Sequence, residues 1–316
     1  MKGTLAAGIW LIALATVPAA GQKWTAPQTP WGHPDLQGLW TNATVTPFER
    51  PPELAGKPVL TEQEAAEFEK RTAQARDADR RVAAEADVAL AYNQFWYDRG
   101  TKVVGSRRTS LVVDPPDGRI PALTSEGQRL ADARVAARRR SPADGPEDRP
   151  LVERCILWPT AGPPMIPAGY NNYYQIFQTP DHVAILIEMI HDVRIIPLDG
   201  HPPASPNVRQ WLGDSRGRWE GNTLVVTTTN FTNKTNFRGS DENLRLTERF
   251  TRVSADTINY EFTVDNPTAF TRPWTAAVPM IRTEGPLFEY ACHEGNYGMT
   301  NLLKGARAGE QVTEGR

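Results

Sequence analysis

The sequence lacks any excess of charge and any motif that names a reaction. Lys plus Arg total 35 and Asp plus Glu total 37, for a net charge of −2. That balance excludes a strongly basic surface for nucleic acid or anionic membranes. The G-x-S-x-G elbow, the phosphate-binding glycine loop, the dinucleotide fingerprint and the Cys-x-x-Cys-His haem site are also absent. The sequence therefore predicts no nucleic-acid partner and no organic cofactor, and it leaves the oligomeric state open.

Long hydrophobic runs are scarce, and the one at the N-terminus is too short to span a membrane. Lys2 precedes an uncharged apolar run from Leu5 to Val17, which small residues up to Gly21 follow. A membrane helix needs about 20 apolar residues, whereas a secretory signal needs fewer. Residues 1–21 are therefore predicted to be a signal peptide of a periplasmic or secreted protein, with no stable membrane insertion after cleavage. The alternative is an uncleaved anchor.

Cysteine is almost missing, with only Cys155 and Cys292 in the chain. An oxidising compartment favours joining them, so export predicts one disulfide. Two buried free thiols are the alternative. Proline, by contrast, is abundant at 27 residues, which argues against long helical solenoids.

The residue pattern divides the chain into a signal peptide and three further regions that form one compact unit. Residues 22–60 are a proline-rich extended segment, residues 61–150 are helical, and residues 151–310 form an antiparallel β domain. A capping box at Thr61 and Glu64 starts a helix that we expect to reach about Leu90. A second helix follows Thr124 and ends in an arginine cluster at 138–140, where cations favour a helix C-terminus.

Alternation of apolar and polar residues predicts the strands of the β domain. Strands are expected over 173–179, over 182–190, and on both sides of a turn at 220–222. The clearest hairpin runs from Leu244 to Val264 with a loop at 254–256. Its register pairs Leu246 with Val264 and Glu248 with Phe262, and both faces then make chemical sense. The predicted fold is a mainly-β antiparallel barrel or strongly curved sheet with N-terminal helices packed on it.

Four ionisable residues are candidates for proton transfer: Glu248, His191, His293 and Glu294. Glu248 shares the apolar hairpin face, where loss of water raises a carboxyl pKa; the alternative is a structural ion pair with an interior arginine such as Arg252. His191 is expected on a strand face with Ile187 and Val193, where a satisfied core histidine is the alternative. His293 and Glu294 could act as a base and its orienting partner, or ligate a divalent metal together with His191.

Other polar and aromatic residues are predicted to bind substrate. Glu188 and Arg194 lie inside apolar sequence and need partners. A loop rich in hydrogen-bonding and stacking groups contains Tyr170, Asn171 and Tyr173, and a Pro-stiffened structural turn is its alternative. Further candidates are Arg272 and Trp274, which suit a pocket mouth or a surface bulge, and Tyr290, beside Cys292.

Three segments give the chain a family resemblance. Thr29–Trp40 (TPWGHPDLQGLW), Trp211–Val226 (WLGDSRGRWEGNTLVV) and Tyr290–Gly298 (YACHEGNYG) resemble a widespread family of uncharacterised exported bacterial proteins. The resemblance implies export and a shared fold, and it carries no established activity. The Gly38-x-Trp40 opening is also loosely similar to the lipocalin pattern.

These features predict an enclosed pocket for a small organic molecule. One hypothesis is a cofactor-independent acid/base enzyme, such as a lyase, isomerase or hydrolase. The second is a non-catalytic small-ligand or carbohydrate-binding protein. The third is a structural envelope protein with a filled interior.

Overall fold

The computed structural model describes residues 24–80, 93–234 and 237–314. The predicted signal peptide and the far end of the first predicted helix lie outside these ranges. The described strands, in chain order, are β1 Gly38–Thr41, β2 Val112–Asp114, β3 Tyr173–Gln178, β4 His182–Ile187, β5 Val193–Pro197, β6 Asp214–Glu220, β7 Thr223–Thr229, β8 Arg245–Ser254, β9 Thr257–Asp265, β10 Trp274–Ala277 and β11 Met280–Arg282. The described helices are α1 Glu62–Ala75, α2 Ser125–Arg140 and α3 Tyr297–Glu314.

Nine of the strands form a nearly closed antiparallel barrel, which confirms the predicted mainly-β fold. Their order is β5-β4-β3-β1-β11-β9-β8-β7-β6. The two end strands, β5 and β6, lie side by side and form a seam without ladder pairing. β2 and β10 extend the sheet beside β9. Because β1 is inserted between β3 and β11, the strands do not follow the continuous up-and-down order of a lipocalin.

The β8–β9 hairpin has the predicted register along most of its length. Leu246 pairs with Val264, Glu248 with Phe262, and Arg252 with Ile258. The predicted loop is wrong by one residue, because the register shifts after Arg252 and Ser254 pairs with Thr257. A bulge at Val253 thus shortens the turn to two residues.

The strand predicted over 182–190 ends earlier than expected. β4 stops at Ile187, and a short 3₁₀ turn, Met189–His191, leads into β5. Ile190 has a φ of 67°, which breaks the strand. The expected strand face shared by Ile187 and His191 is therefore wrong. The apolar residues after β4 join the core as a turn, because Met189 and Ile190 are both buried.

The helices agree with the prediction at their starts better than at their ends. Thr61 caps α1 through the predicted capping box, but α1 ends at Ala75, well before the predicted Leu90. α2 begins after Thr124 and ends at Arg140, as expected. It packs closely on the loop after β9, because a Cβ at Gly127 would lie 2.4 Å from the Ala269 carbonyl oxygen. α3 begins inside the range 151–310 that is predicted to be β, so the prediction is wrong for this end of the range.

The barrel interior is filled, and one of its ends is closed by the chain before β1. Large side chains with no exposure occupy the core, among them Trp40, Phe250 and Phe262. At the end where β3 finishes, the Gln178 side chain accepts from the Leu36 N–H at 2.6 Å and donates to the Pro34 carbonyl at 3.1 Å. The predicted enclosed pocket stays a prediction.

Candidate functional site

Glu248 lies inside the barrel in an ion pair with Arg194. Arg194 reaches from β5, and its Nη1 and Nη2 lie 3.0 Å and 2.7 Å from the two carboxylate oxygens of Glu248 on β8. Both side chains are almost completely buried. The suggested pairing with Arg252 is wrong, because Arg252 donates to the carbonyls of Asp35 and Ala255 instead.

The ion pair continues into a buried polar network that crosses the barrel seam. The Tyr260 hydroxyl donates to Glu248 Oε1 at 2.8 Å and accepts from the Met165 N–H at 3.0 Å. On the other side, Arg194 Nη2 donates to Ser215 Oγ of β6 at 3.2 Å. Backbone pairing is absent between β5 and β6, so this contact links the two strands through side chains.

The network stabilises the charged form of the ion pair. Burial alone would lower the pKa of Arg194, but the Glu248 carboxylate outweighs it and the pKa is raised. Burial, with the Glu248 charge, also holds the pKa of Tyr260 well above its usual range. Both Glu248 oxygens have partners, so these contacts support a structural role for the predicted catalytic residue and for the predicted substrate-binding Arg194.

A second polar group forms where β3 begins and β4 ends. Asn171 adopts a left-handed φ of 55°, which asparagine tolerates, and turns the chain into β3. The side chain of the next residue, Asn172, is fully buried and donates to Asp98 Oδ1 at 2.8 Å, while its backbone N–H donates to Oδ2 at 3.0 Å. Asp98 is thereby fixed beside the start of β3.

Glu188 is the buried carboxyl of this group. It directly follows β4 and is only 3% exposed. The Phe288 N–H donates to its Oε1 at 3.0 Å, but its Oε2 is buried without a hydrogen-bond partner. Burial raises the pKa of Glu188, the Phe288 N–H opposes this, and the Asp98 charge adds to the rise. Burial and the charges of Asp98 and Glu188 likewise raise the pKa of Tyr173.

Aromatic rings lie on the same segments as these carboxyls and their partners: Tyr97 precedes Asp98, and Tyr290 follows Phe288 by two residues. Trp158 lies 5.8 Å from Tyr170 and 6.0 Å from Tyr290, and Tyr97 lies 6.3 Å from Tyr170, measured between ring centroids. All four rings are partly exposed. We call the whole group the barrel-end site, which comprises Tyr97, Asp98, Trp158, Tyr170, Asn171, Tyr173, Glu188, Phe288 and Tyr290.

The disulfide fixes two walls of the barrel-end site. Cys155 and Cys292 are joined, as predicted, with their Cα atoms 5.7 Å apart. Cys155 lies three residues before Trp158, and Cys292 lies two residues after Tyr290. The bond therefore ties the loop that carries one ring to the segment that carries the other.

Two of the predicted proton-transfer residues are not placed in the barrel interior with Glu248. His293 and Glu294 are exposed on the segment after Tyr290. His191 lies in the turn after β4, and its side chain is outside the described part of the structure. Among the described residues, no three His, Cys, Asp or Glu side chains are grouped as metal ligands. The roles assigned to His191, His293 and Glu294 stay predictions.

Arg272 and Trp274 do not form a pocket mouth together. Trp274 is fully buried, with the rings of Phe48, Phe262 and Phe270 about it at centroid distances of 6.0, 5.9 and 6.0 Å. Arg272 is exposed and pairs with Asp114 at 2.8 Å. The fully buried ring is a core residue, since its strand turns it inward.

Most residues of the barrel-end site are predictable from the sequence, but the contacts that bring them together are not. Tyr170, Asn171, Tyr173, Glu188 and Tyr290 were all predicted to bind substrate, and they lie together. Four residues of the site were not predicted, because they reach it through contacts distant in the sequence: Tyr97, Asp98, Trp158 and Phe288. The only local signal was the aromatic and charged run Phe95–Arg99, just before which the described chain resumes.

In the described residues, no helix is long and apolar enough to cross a bilayer. Comparison of the chain with protein-family models, with curated proteins and with solved structures finds no match. The chemistry of the barrel-end site therefore carries the functional proposal.

Proposed function

We propose that this protein is exported and binds a small, ring-containing organic molecule at the barrel-end site. The observation that carries the proposal is the unpartnered Oε2 of Glu188, a buried atom in a group that also contains partly exposed aromatic rings. Leaving a buried acceptor unpaired costs about 1–3 kcal/mol. A ligand that supplies a hydrogen-bond donor to Oε2 would remove that cost on binding.

The rings of the barrel-end site provide the apolar part of the proposed binding site. Trp158, Tyr170 and Tyr290 contact one another through their rings and stay partly open to solvent. Aromatic side chains offer flat faces to planar molecules and to the apolar faces of sugars, while their polar groups form hydrogen bonds. A few polar groups among aromatic walls are typical of ligand sites.

Export is supported by the disulfide as well as by the predicted signal peptide. The Cys155–Cys292 bond closes a long loop and would persist in an oxidising compartment. The resemblance to exported bacterial proteins agrees with this location. We therefore place ligand binding in the periplasm or outside the cell.

Binding can be tested by saturation-transfer NMR on the mature protein, with benzyl alcohol and a methyl glucoside as probes. We expect saturation to transfer from the protein to at least one of the two probes. The Tyr290→Ala variant should lose most of this saturation-transfer signal. Phe177→Ala is the matched control, because Phe177 is an exposed ring on the outer face of β3. Equal signals from both variants, or no transfer to either probe, would contradict the proposal.

An acid/base enzyme is the second candidate, and Glu188 is the residue that favours it. A carboxyl with a raised pKa and an unpartnered oxygen is suited to hold and release a proton. In that case Glu188, which was predicted only to bind substrate, transfers the proton. A panel of nitrophenyl esters and glycosides tests this: turnover should vanish in Glu188→Gln and persist in Glu289→Gln, which alters an exposed carboxyl nearby.

A further inference from the structure

From the same site, and resting on the proposed function, we infer the charge of the ligand: the barrel-end site takes an organic cation, such as a protonated or quaternary amine attached to a small ring. The inference depends on one buried acceptor, one neighbouring carboxylate and several aromatic faces. Each of these groups attracts positive charge, and none of them favours an anion.

The acceptor that remains for a ligand is Glu188 Oε2. Asp98 also carries a negative charge, but Asn172 already donates to both of its oxygens. Glu188 has the Phe288 N–H on Oε1. The Asn171 side chain and the Tyr173 backbone are also close enough to lower its pKa, but Oε2 has no partner within hydrogen-bond geometry. A ligand N–H⁺ directed at Oε2 would form a charge-assisted hydrogen bond, which is stronger than a neutral one.

The second carboxylate makes the location electrostatically suited to a cation. Asp98 is near enough for its charge to affect both Glu188 and Tyr173. Two carboxyls this close repel each other when both are ionised, and a cation between them relieves that repulsion. An anionic ligand would add a third negative charge beside Asp98 and Glu188, where Arg99 supplies one positive charge.

The aromatic faces add to the preference for a cationic ligand. The guanidinium of Arg99 already lies 3.7 Å from the ring centroid of Tyr97, so a ring of this cluster accepts a cation on its face. Trp158 is the strongest cation-binding ring type and lies between Tyr170 and Tyr290. Aromatic cages with a nearby carboxylate are the usual receptors for substituted ammonium groups.

Three probes of similar size separate the effect of ligand charge on affinity from the effect of the ring. Benzylammonium, benzyl alcohol and benzoate share one ring and differ in charge, and calorimetry or ligand-observed NMR ranks their affinities for the mature protein. We expect benzylammonium to bind about tenfold more tightly than benzyl alcohol, as a charge-assisted bond with a cation–π contact implies, and benzoate to bind most weakly.

A pair of isosteric variants then locates the preference. Glu188→Gln keeps the shape and an acceptor for the Phe288 N–H but removes the charge, so the advantage of benzylammonium should disappear while benzyl alcohol still binds. Glu289→Gln removes an exposed charge from the same segment and should keep the advantage. If the advantage survives in Glu188→Gln, the inference is overturned.

The wild-type ranking tests the inference even where a variant fails to fold. Equal affinity for benzylammonium and benzyl alcohol, or tightest binding of benzoate, overturns the cationic ligand and leaves ring binding standing. Binding of none of the three probes overturns both the cationic ligand and the proposed function.

Discussion

Two buried glutamates in this protein differ in everything except burial. Glu248 lies inside the barrel, where Arg194 and Tyr260 donate to its two oxygens. Glu188 lies at the barrel end, where Oε1 accepts from one backbone N–H and Oε2 is unpartnered. Both oxygens of Glu248 therefore have partners, whereas one oxygen of Glu188 can still accept a hydrogen bond from another molecule.

The comparison shows that burial of a carboxyl does not by itself indicate function. A buried carboxylate with partners on both oxygens, such as Glu248, can hold one arrangement of strands, here through Arg194 across the β5–β6 seam. A buried carboxyl with an empty acceptor position carries a cost that folding alone does not remove. Whether both carboxylate oxygens have hydrogen-bond partners therefore distinguishes the structural Glu248 from the functional candidate Glu188.

The largest loss of stability is expected when one partner of the Arg194–Glu248 ion pair is removed. Arg194→Met leaves the Glu248 carboxylate buried without its counter-ion and removes the link to Ser215. We expect the free energy of unfolding to fall by about 3–5 kcal/mol, measured by urea denaturation.

The matched control for this variant replaces both charges. The double variant Arg194→Met/Glu248→Leu has no unpaired charge, so most of the lost stability should return. If Arg194→Met alone unfolds within 1 kcal/mol of wild type, the proposed role of the seam network is incorrect.

Removal of the disulfide should act on the barrel end and leave the interior network intact. Cys155→Ser/Cys292→Ser frees a 137-residue loop and should cost about 2–4 kcal/mol by denaturation. Locally, the Phe288 amide that bonds Glu188 should exchange faster with solvent, whereas the Met165 amide that bonds Tyr260 should change less. Equal acceleration at both amides would show that the two regions are not independent.

The fold could be predicted from the sequence where the local residue pattern and the pairing of side chains across strands agree. The β8–β9 register followed from apolar and charged pairs such as Leu246 with Val264, because a one-residue slip would reverse both faces. The early end of β4 was not accessible, since the apolar residues Met189 and Ile190 fit a buried strand as well as a buried turn.

The types of residue in the site could be predicted from the sequence, but their arrangement in space could not. Tyr170, Glu188 and Tyr290 were singled out as polar or aromatic residues in unusual surroundings, and they do lie in one cluster. The partner of Glu248 was assigned to Arg252, on the same hairpin, because sequence alone reveals only near neighbours. The true partner, Arg194, comes from a strand that pairing does not join to β8.

A smaller effect is expected from the hydroxyl that completes the interior network. Tyr260→Phe removes the donor to Glu248 and the acceptor of the Met165 N–H but keeps the ring. We expect a loss of about 1–3 kcal/mol in the free energy of unfolding. Phe250→Tyr, a neighbouring core ring without this network, separates the loss of hydrogen bonds from a change of ring type.

The smallest effect on stability should come from Glu188, and its sign depends on pH. The folded protein raises the pKa of Glu188 above the ordinary value of 4.5, so the folded state holds this proton more tightly than the unfolded state. The ionised form therefore destabilises the fold, and stability from this group falls as pH rises from 4.5 through the raised value. Glu188→Gln removes that dependence.

We expect Glu188→Gln to unfold within about 1 kcal/mol of wild type, and to gain stability relative to wild type between pH 4.5 and about pH 8. Urea denaturation of both proteins at the two pH values measures the difference. Glu289→Gln, with its exposed carboxyl, should show no such gain. A Glu188→Gln variant that loses stability as pH rises would mean that the carboxylate is paired in the folded state, and the contrast with Glu248 would then disappear.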